Sequence, residues 1–161
     1  MACAAWALGE AGVTLVDAGT QWSSLGVAEE AVVLHDPLCP LTPPGFIAAC
    51  VAAAEDGSVV VGVRPVTDTV KRVEDGYVGA TLDRDALLQV VSPVVLPPAV
   101  VAALDTLPTS DLAALVTQLA ERYPVTTLEA PISARRVTGE DDLRMLEALT
   151  TGARDPRRPG T

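Results

Sequence analysis

A short apolar run that ends in a histidine, an aspartate and a proline constrains this chain more than any other stretch. The run Ala31-Val32-Val33-Leu34 is continuously apolar, which is typical of a strand buried on both faces of a sheet. Pro37 has no N–H to donate to a sheet, so the strand is predicted to end at Asp36. An imidazole and a carboxylate then stand at the carboxyl end of a central strand, where open α/β sheets bind their ligands. The alternative is that His35 and Asp36 only satisfy backbone groups in the turn.

Composition and charge argue against several classes of function. The chain has 161 residues, with 11 Lys and Arg against 21 Asp and Glu, and its net charge of −10 disfavours binding to nucleic-acid phosphates. Cys3, Cys39 and Cys50 lack metal-ligand spacing, and a single histidine cannot complete a zinc site. No stretch reaches the roughly 20 apolar residues of a membrane span, and the amino terminus lacks an export pattern. We therefore expect a cytoplasmic protein with free thiols and with neither a nucleic-acid nor a membrane partner.

Apolar runs alternate with helical periodicities along most of the chain. This order predicts one three-layer α/β domain over residues 1–150, with a mostly parallel sheet, and a disordered tail over 151–161. Strands are predicted at 13–16, 31–36, 59–63, 87–91 and 125–128, the fourth of them stopped by Ser92-Pro93, and helices near 2–11, 46–54, 97–104, 112–119 and 138–149.

One segment, residues 66–82, does not fit the alternation. Its charged and β-branched residues surround Glu74-Asp75-Gly76-Tyr77, which is a hairpin signal because glycine readily adopts a positive φ. The segment is predicted to project from the sheet as a two-stranded arm, and such an arm is marginally stable without a partner surface. Its polar residues Asp68, Lys71 and Arg72 are either partner contacts or simply a solvated strand face.

The familiar phosphate and nucleophile motifs are missing from the sequence. There is no Walker-type P-loop and no GxGxxG fingerprint. Ser110 stands near a predicted helix start, but the only histidine, His35, belongs to another turn. Nucleophilic triad chemistry is therefore disfavoured.

Several strings nevertheless resemble, in order, those of the methylerythritol-phosphate cytidylyltransferases. Leu34-His35-Asp36-Pro37-Leu38-Cys39-Pro40 is similar to their V-H-D-A-A-R-P segment, and Val66-Thr67-Asp68-Thr69-Val70-Lys71-Arg72-Val73 to their P-V-x-D-T-[VI]-K-R-V arm. Thr81-Leu82-Asp83-Arg84 resembles T-x-D-R, Val91-Ser92-Pro93 stands at their Q-T-P-Q, and Arg136-Val137-Thr138 with Leu143 resembles the closing K-[IV]-T-x-x-x-D-L.

This resemblance implies a nucleotide-diphosphosugar-transferase type of Rossmann-like α/β fold with a projecting β-arm at about 66–84. It also implies a reaction in which a sugar-alcohol phosphate attacks the α-phosphate of CTP and expels pyrophosphate. By position, Asp36 is the candidate Mg²⁺ ligand. Thr69, Arg84 and Arg136 are the candidates to hold methylerythritol phosphate, with Arg136 also the candidate catalytic cation. The arm, including Asp68, Lys71, Arg72 and Tyr77, is expected to form a homodimer.

The chain also departs from the family pattern. The family's first strand and its P-A-A-G-x-G-x-R loop, which hold the triphosphate, have no counterpart here. Cys39 replaces an arginine, Val94 a glutamine and Arg136 a lysine, while Ser133 or Ala134 stands where the family has an acid.

These losses predict an N-terminally truncated, degenerate and catalytically inactive relative that acts as a dimeric binding, regulatory or scaffold protein. Its expected ligand is a small sugar phosphate. It is expected to dimerise through the arm with itself, or with a full-length relative. The alternative is an active cytidylyltransferase of the non-mevalonate isoprenoid pathway, in which case Mg²⁺ is the implied cofactor.

Overall fold

A computed structural model describes residues 2–16 and 19–152. Six helices, six strands and three short 3₁₀ turns are assigned within these residues. The helices are α1 (Ala2–Glu10), α2 (Trp22–Val27), α3 (Pro44–Ala53), α4 (Pro98–Ala103), α5 (Leu112–Ala120) and α6 (Glu140–Gly152). The strands are β1 (Val32–Leu34), β2 (Val59–Pro65), β3 (Lys71–Glu74), β4 (Tyr77–Thr81), β5 (Leu88–Leu96) and β6 (Val125–Glu129).

The main sheet is mixed and has the strand order β1-β5-β2-β6. β5 runs antiparallel to both of its neighbours, whereas β2 and β6 are parallel. β1, β2 and β6 therefore share one direction, and only β5 opposes them, which confirms an α/β sheet whose strands mostly run one way.

The prediction that the run before His35 is a central, doubly buried strand is wrong. β1 lies at the edge of the sheet described here, and each of its residues is only half-buried. The continuously buried strand is instead β2, in which Val59, Val60 and Val61 are fully buried. β5 lies between β1 and β2 in the sheet. These two strands are consecutive along the chain and are connected through α3, but they are not neighbours.

Helices cover both faces of the sheet. Valines of β2 and β5 pack on one face against Val100 of α4 and Leu115 and Leu119 of α5. The opposite face packs against α3 through Cys50, and Ile47 of α3 in turn contacts α1. The result is the predicted three-layer arrangement.

β5 does not stop at Ser92-Pro93 as predicted. The strand continues to Leu96, and its register against β2 shifts between Val61 and Gly62, so that Ser92 and Pro93 have no partner residues in that ladder. Proline is tolerated inside a sheet at such an irregularity because no ladder donor is required of it. A Cβ on Gly62 would lie 3.3 Å from the Ser92 carbonyl oxygen, so the two backbones approach closely here.

The predictions for two other segments had different outcomes. Residues 13–16 form no strand. The hairpin is confirmed: β3 pairs with β4 around Asp75 and Gly76, both of which have positive φ. Every residue from 71 to 81 is exposed, so the arm has no cover from the described part of the chain.

The last helix, α6, extends to Gly152, and the rest of the predicted tail, residues 153–161, lies outside the described residues. Among the described residues, no helix is both long and apolar enough to cross a membrane.

Candidate functional site

A cleft of about 680 Å³ lies where β1 ends against the middle of β5. His35, Asp36 and Cys39 line it from the turn after β1, and Ser92 lines it from β5. The start of α5 forms the opposite wall, and Arg136 enters from the segment before α6. The polar pair that follows β1 therefore faces a cavity at the carboxyl end of that strand.

The buried hydroxyl of Ser92 joins the turn to the sheet. Its Oγ lies 2.6 Å from Nδ1 of His35 and accepts the backbone N–H of Asp36 at 2.9 Å. Ser92 is completely buried, so these two bonds have no competition from solvent. They fix both the histidine ring and the main chain of the aspartate.

His35 is held as a neutral imidazole. Because the Ser92 hydroxyl already accepts the Asp36 N–H, we assign its own proton to the bond with Nδ1. Burial lowers the pKa of His35 below its ordinary value. Its Nε2 is buried and has no hydrogen-bond partner among the described residues.

Asp36 and Arg136 form an ion pair across 100 residues of sequence. The Nε of Arg136 donates to Oδ2 of Asp36 at 2.7 Å, while Oδ1 accepts the N–H of Leu38 at 2.9 Å. The hydrogen bond from Arg136 to Asp36 raises the pKa of that guanidinium further. A backbone bond of 2.7 Å from Val137 to Leu38 holds the two segments together. The terminal nitrogens of Arg136 bind no acceptor among the described residues and can donate to a ligand.

Thr69 and Arg84 lie in a separate groove of about 420 Å³ in the arm. Arg84 donates from Nη1 to the Thr67 carbonyl at 3.0 Å and is otherwise largely exposed. The residues that line this groove do not include Asp36 or Arg136. The structure thus brings Asp36 and Arg136 together and keeps Thr69 and Arg84 in another place.

The predicted partner contacts of the arm are all exposed. Lys71 donates to Thr81 at 2.5 Å and Arg72 pairs with Glu74 at 3.3 Å, so both cations have partners within the hairpin. Tyr77 is 80% exposed, and Asp68 is exposed as well.

Comparison with known proteins identifies the domain. The family model "2-C-methyl-D-erythritol 4-phosphate cytidylyltransferase" matches residues 8–151. The chain belongs to this family. The matched range includes both the cleft and the arm.

Relatives and solved structures agree with the family model. A 2-C-methyl-D-erythritol 4-phosphate cytidylyltransferase of Frankia casuarinae is 41% identical over 123 residues, which are 73% of this chain and 46% of that protein. One of Rhodococcus jostii is 36% identical over 150 residues, or 85% of this chain and 65% of that protein. The crystal structure of the cytidylyltransferase from Thermus thermophilus has a TM-score of 0.63 and 29% identity, covering 86% of this chain and 73% of that one.

The relatives are longer than this chain. It spans about half of the Frankia protein, and 31% of a Nitratidesulfovibrio vulgaris protein named "Bifunctional enzyme IspD/IspF", to which it is 35% identical over 127 residues. The latter name shows that this type of domain occurs joined to a second one.

Two positions at which this chain departs from the family pattern have different surroundings in the structure. Cys39 is 1% exposed and lines the cleft. Burial raises the pKa of its thiol and so favours the neutral form, and a cysteine cannot supply the positive charge of the family's arginine. Val94 is fully buried in the core and does not line the cleft. The change at Val94 therefore concerns packing, whereas the change at Cys39 alters the cleft, as does the replacement of a lysine by Arg136.

The described residues do not by themselves form a Mg²⁺ site. Mg²⁺ prefers oxygen ligands in octahedral geometry. Here both carboxylate oxygens of Asp36 hold hydrogen bonds, one of them to the Arg136 cation. His35 and Cys39 offer an imidazole and a thiol, which suit softer metals. The second carboxylate of the cleft, Asp111, already accepts the N–H of Ala114 as the cap of α5. No cluster of three or more acidic, histidine or cysteine ligands occurs in the part of the chain that the structure describes.

Two cleft residues were missed from the sequence. The sequence marks Ser92 as the end of a strand and as part of the Q-T-P-Q resemblance, and neither gives it a role in a site; the proline after it is a signal for an irregularity in the strand. Asp111 lines the cleft and caps α5, accepting the N–H of Ala114 at 2.9 Å. Its position beside Ser110 offered no signal beyond a helix start.

The titration of His35 provides the first test. A histidine whose pKa is lower in the folded protein binds fewer protons than in the unfolded chain, so the free energy of unfolding falls as the pH drops below about 6.5. We expect a positive slope between pH 5.5 and 7.0, smaller than about 1.4 kcal/mol per pH unit. Chemical denaturation at closely spaced pH values measures it.

His35→Asn is the matched variant, because its amide oxygen can accept the Ser92 hydroxyl in place of Nδ1. As His35 is the only histidine in the sequence, the variant should lose the slope in this pH window. An unchanged slope in the variant would contradict a buried, neutral His35.

Proposed function

We propose that this chain is a dimeric sugar-phosphate-binding protein that does not transfer CMP with these residues alone. The observation that carries the proposal is the Asp36–Arg136 ion pair, which neutralises the cation in the cleft. Family membership supports the ligand class, since the matching family is named for a cytidylyltransferase of 2-C-methyl-D-erythritol 4-phosphate. The charge of the cleft opposes the nucleotide.

The charge of the cleft follows from its lining. Arg136 contributes one positive charge, Asp36 and Asp111 contribute two negative charges, and His35 is neutral, so the sum is −1. Nucleotidyl transfer requires positive groups aimed at the triphosphate as charge develops in the transition state. A protein with a net charge of −10 adds long-range repulsion. The triphosphate of CTP therefore meets no stabilising field here.

A phosphate monoester requires fewer positive groups from the same cleft than a triphosphate does. Asp36 binds the Nε side of Arg136 and leaves the two terminal nitrogens for a ligand. A guanidinium binds phosphate oxygens through paired N–H donors, and such charge-assisted bonds are about twice as strong as neutral ones. The aspartate thus acts as a positioning residue for the arginine.

A single copy supplies only part of this binding site. Thr69 and Arg84 occupy the groove in the arm, away from Arg136. Val73 and Val78 are cross-strand partners and form an exposed apolar stripe on one face of the arm, which favours packing of that face against a second copy. In such a dimer, Arg84 of one protomer joins Arg136 of its partner on one phosphate.

Active cytidylyltransferase is the second candidate. The relatives that are 35–41% identical carry that name or include that domain, and the Asp36–Arg136 arrangement lies at the carboxyl end of a sheet strand. Under this alternative, groups from outside the described residues supply the positive charge for the triphosphate.

Calorimetric titration with 2-C-methyl-D-erythritol 4-phosphate and, separately, with CTP tests the proposal. We expect the sugar phosphate to bind with a Kd of about 0.1–1 mM, and CTP with Mg²⁺ no more tightly than about 1 mM. Arg136→Ala should weaken sugar-phosphate binding about tenfold or more, because a charge-assisted bond contributes about 1.5–3 kcal/mol.

Arg84→Ala should have the same effect if the arm completes the binding site. Arg144→Ala is the matched control, since Arg144 is exposed and pairs with Glu140 and Asp141 on α6. Micromolar binding of CTP, or equal losses in Arg136→Ala and Arg144→Ala, would contradict the proposal.

The exposed apolar residues of the arm lead to a separate prediction about the oligomeric state. Sedimentation velocity at micromolar concentration should give a homodimer. Val78→Glu should give a monomer, because it places a charge in the apolar stripe of the arm. Val27→Glu should stay dimeric, since Val27 is similarly exposed but lies on α2.

The monomeric variant should also lose sugar-phosphate affinity. A heterodimer with a full-length relative is the other possibility, and mixing the chain with the Rhodococcus jostii protein tests it. A wild-type chain that remains monomeric both alone and in that mixture would exclude both kinds of dimer.

A further inference from the structure

The segment that carries Arg136 into the cleft is fastened to the start of α6 on both sides of that arginine. Oδ1 of Asp142 lies 2.6 Å from Nη2 of Arg135, and Oδ2 accepts the backbone N–H of Thr138 at 2.8 Å and the Thr138 hydroxyl as well. We call these three contacts the Asp142 anchor. The Asp142 side chain is only 12% exposed, so the anchor is largely shielded from solvent. One carboxylate therefore closes a loop around residues 136 and 137.

Arg135 and Arg136 are adjacent but point in different directions. The backbone of Arg135 is extended, with φ −64° and ψ 148°, and successive side chains of an extended chain lie on roughly opposite sides. Arg135 points to α6, where it pairs with Asp142 and also donates to Sδ of Met145 at 2.7 Å. Arg136 points to the cleft and donates to Asp36. The anchoring of the first arginine on α6 thus sets the direction of the second.

The Asp36–Arg136 ion pair is by itself a weak restraint on the arginine. The Arg136 side chain is 48% exposed, and an exposed ion pair must offset the conformational entropy that a long cation loses when it is held in one rotamer. On the cleft side, the backbone bond from Val137 to Leu38 adds one further contact. The Asp142 anchor adds three contacts on the opposite side of the same segment, and these fix the backbone from which Arg136 projects.

We propose that Asp142 is a positioning residue for the phosphate site: its carboxylate holds residues 135–138 so that the terminal nitrogens of Arg136 face the cleft. Asp142 does not line the cleft and acts through Arg136 alone. The hydrogen bonds from Thr138 lower the pKa of Asp142, so the anchor is ionised at neutral pH. The effect on affinity rests on the proposed sugar-phosphate binding, whereas the effect on the geometry of Arg136 does not.

The sign of the effect separates positioning from simple electrostatics. Removal of an acidic residue from a protein of net charge −10 should by charge alone strengthen the binding of an anion. We expect instead that Asp142→Ala weakens binding of 2-C-methyl-D-erythritol 4-phosphate about three- to tenfold in calorimetry, because Arg136 must then be ordered on binding. Asp141→Ala is the matched control with the same change in charge. Asp141 is the preceding residue, its side chain is 99% exposed, and it pairs with Arg144; its variant should bind as tightly as wild type or slightly more tightly.

A double-mutant cycle with Arg136→Ala separates positioning from a general loss of structure. If Asp142 acts through Arg136, Asp142→Ala should cause no further loss of affinity once Arg136 is absent. Damage to the fold would weaken binding in both backgrounds. Asp142→Asn is a milder variant, since its amide oxygen can still accept from Thr138 but the charge that pairs with Arg135 is lost. Its affinity should lie between those of wild type and Asp142→Ala.

Hydrogen exchange at Nε of Arg136, followed by NMR without any ligand, tests the geometry directly. The signal is assigned by its loss in Arg136→Lys, and its exchange is slowed by the bond to Asp36. Asp142→Ala should speed this exchange at least about fivefold, and Asp141→Ala should not.

The two measurements distinguish the two proposals. A wild-type chain that binds no sugar phosphate would refute the proposed function, and the exchange at Arg136 would still decide the role of Asp142. Unchanged exchange in Asp142→Ala, tighter binding by that variant, or an equal loss of affinity in the Arg136→Ala background would overturn the proposal.

Discussion

The buried hydroxyl of Ser92 is the contact on which the candidate site depends. It lies at the irregularity of β5, opposite Gly62, and bonds both His35 and the backbone of Asp36. Without it, the turn after β1 would leave a buried imidazole nitrogen and a backbone N–H unpaired, at a cost of about 1–3 kcal/mol for each group. Ser92 thus fixes the main chain of Asp36, while the Leu38 N–H orients its carboxylate toward Arg136.

The general fold could be predicted from the sequence, but the neighbours of individual strands could not. A continuous apolar run correctly marked β2, β-branched residues with a leucine marked β6, and the Asp75-Gly76 pair correctly marked the hairpin. The same kind of run misplaced β1 at the centre, because apolar composition reports burial without reporting which strand lies alongside. β5 was cut short because proline normally ends a ladder, whereas here the strand passes it through a shift of register.

The candidate site, like the fold, could be predicted from the sequence only in part. The position of His35 and Asp36 after a strand predicted a cleft at that end of the sheet, and the structure has one there. Their contact with Arg136 spans 100 residues, so no local spacing could predict it, and only the family resemblance singled out Arg136. Ser92 and Asp111 were missed because a buried serine and a helix cap look ordinary in a linear sequence. Their role comes from where the fold places them.

The central claim is that the one cation of the cleft, Arg136, is balanced by Asp36, so that the cleft has no net positive charge to stabilise a triphosphate. Release of pyrophosphate on mixing this chain with CTP, 2-C-methyl-D-erythritol 4-phosphate and Mg²⁺ measures it most directly, with the Rhodococcus jostii protein assayed in parallel. The account predicts that this chain releases no more pyrophosphate than a reaction without protein. Sustained release that Arg136→Ala abolishes and Arg144→Ala leaves intact would contradict it.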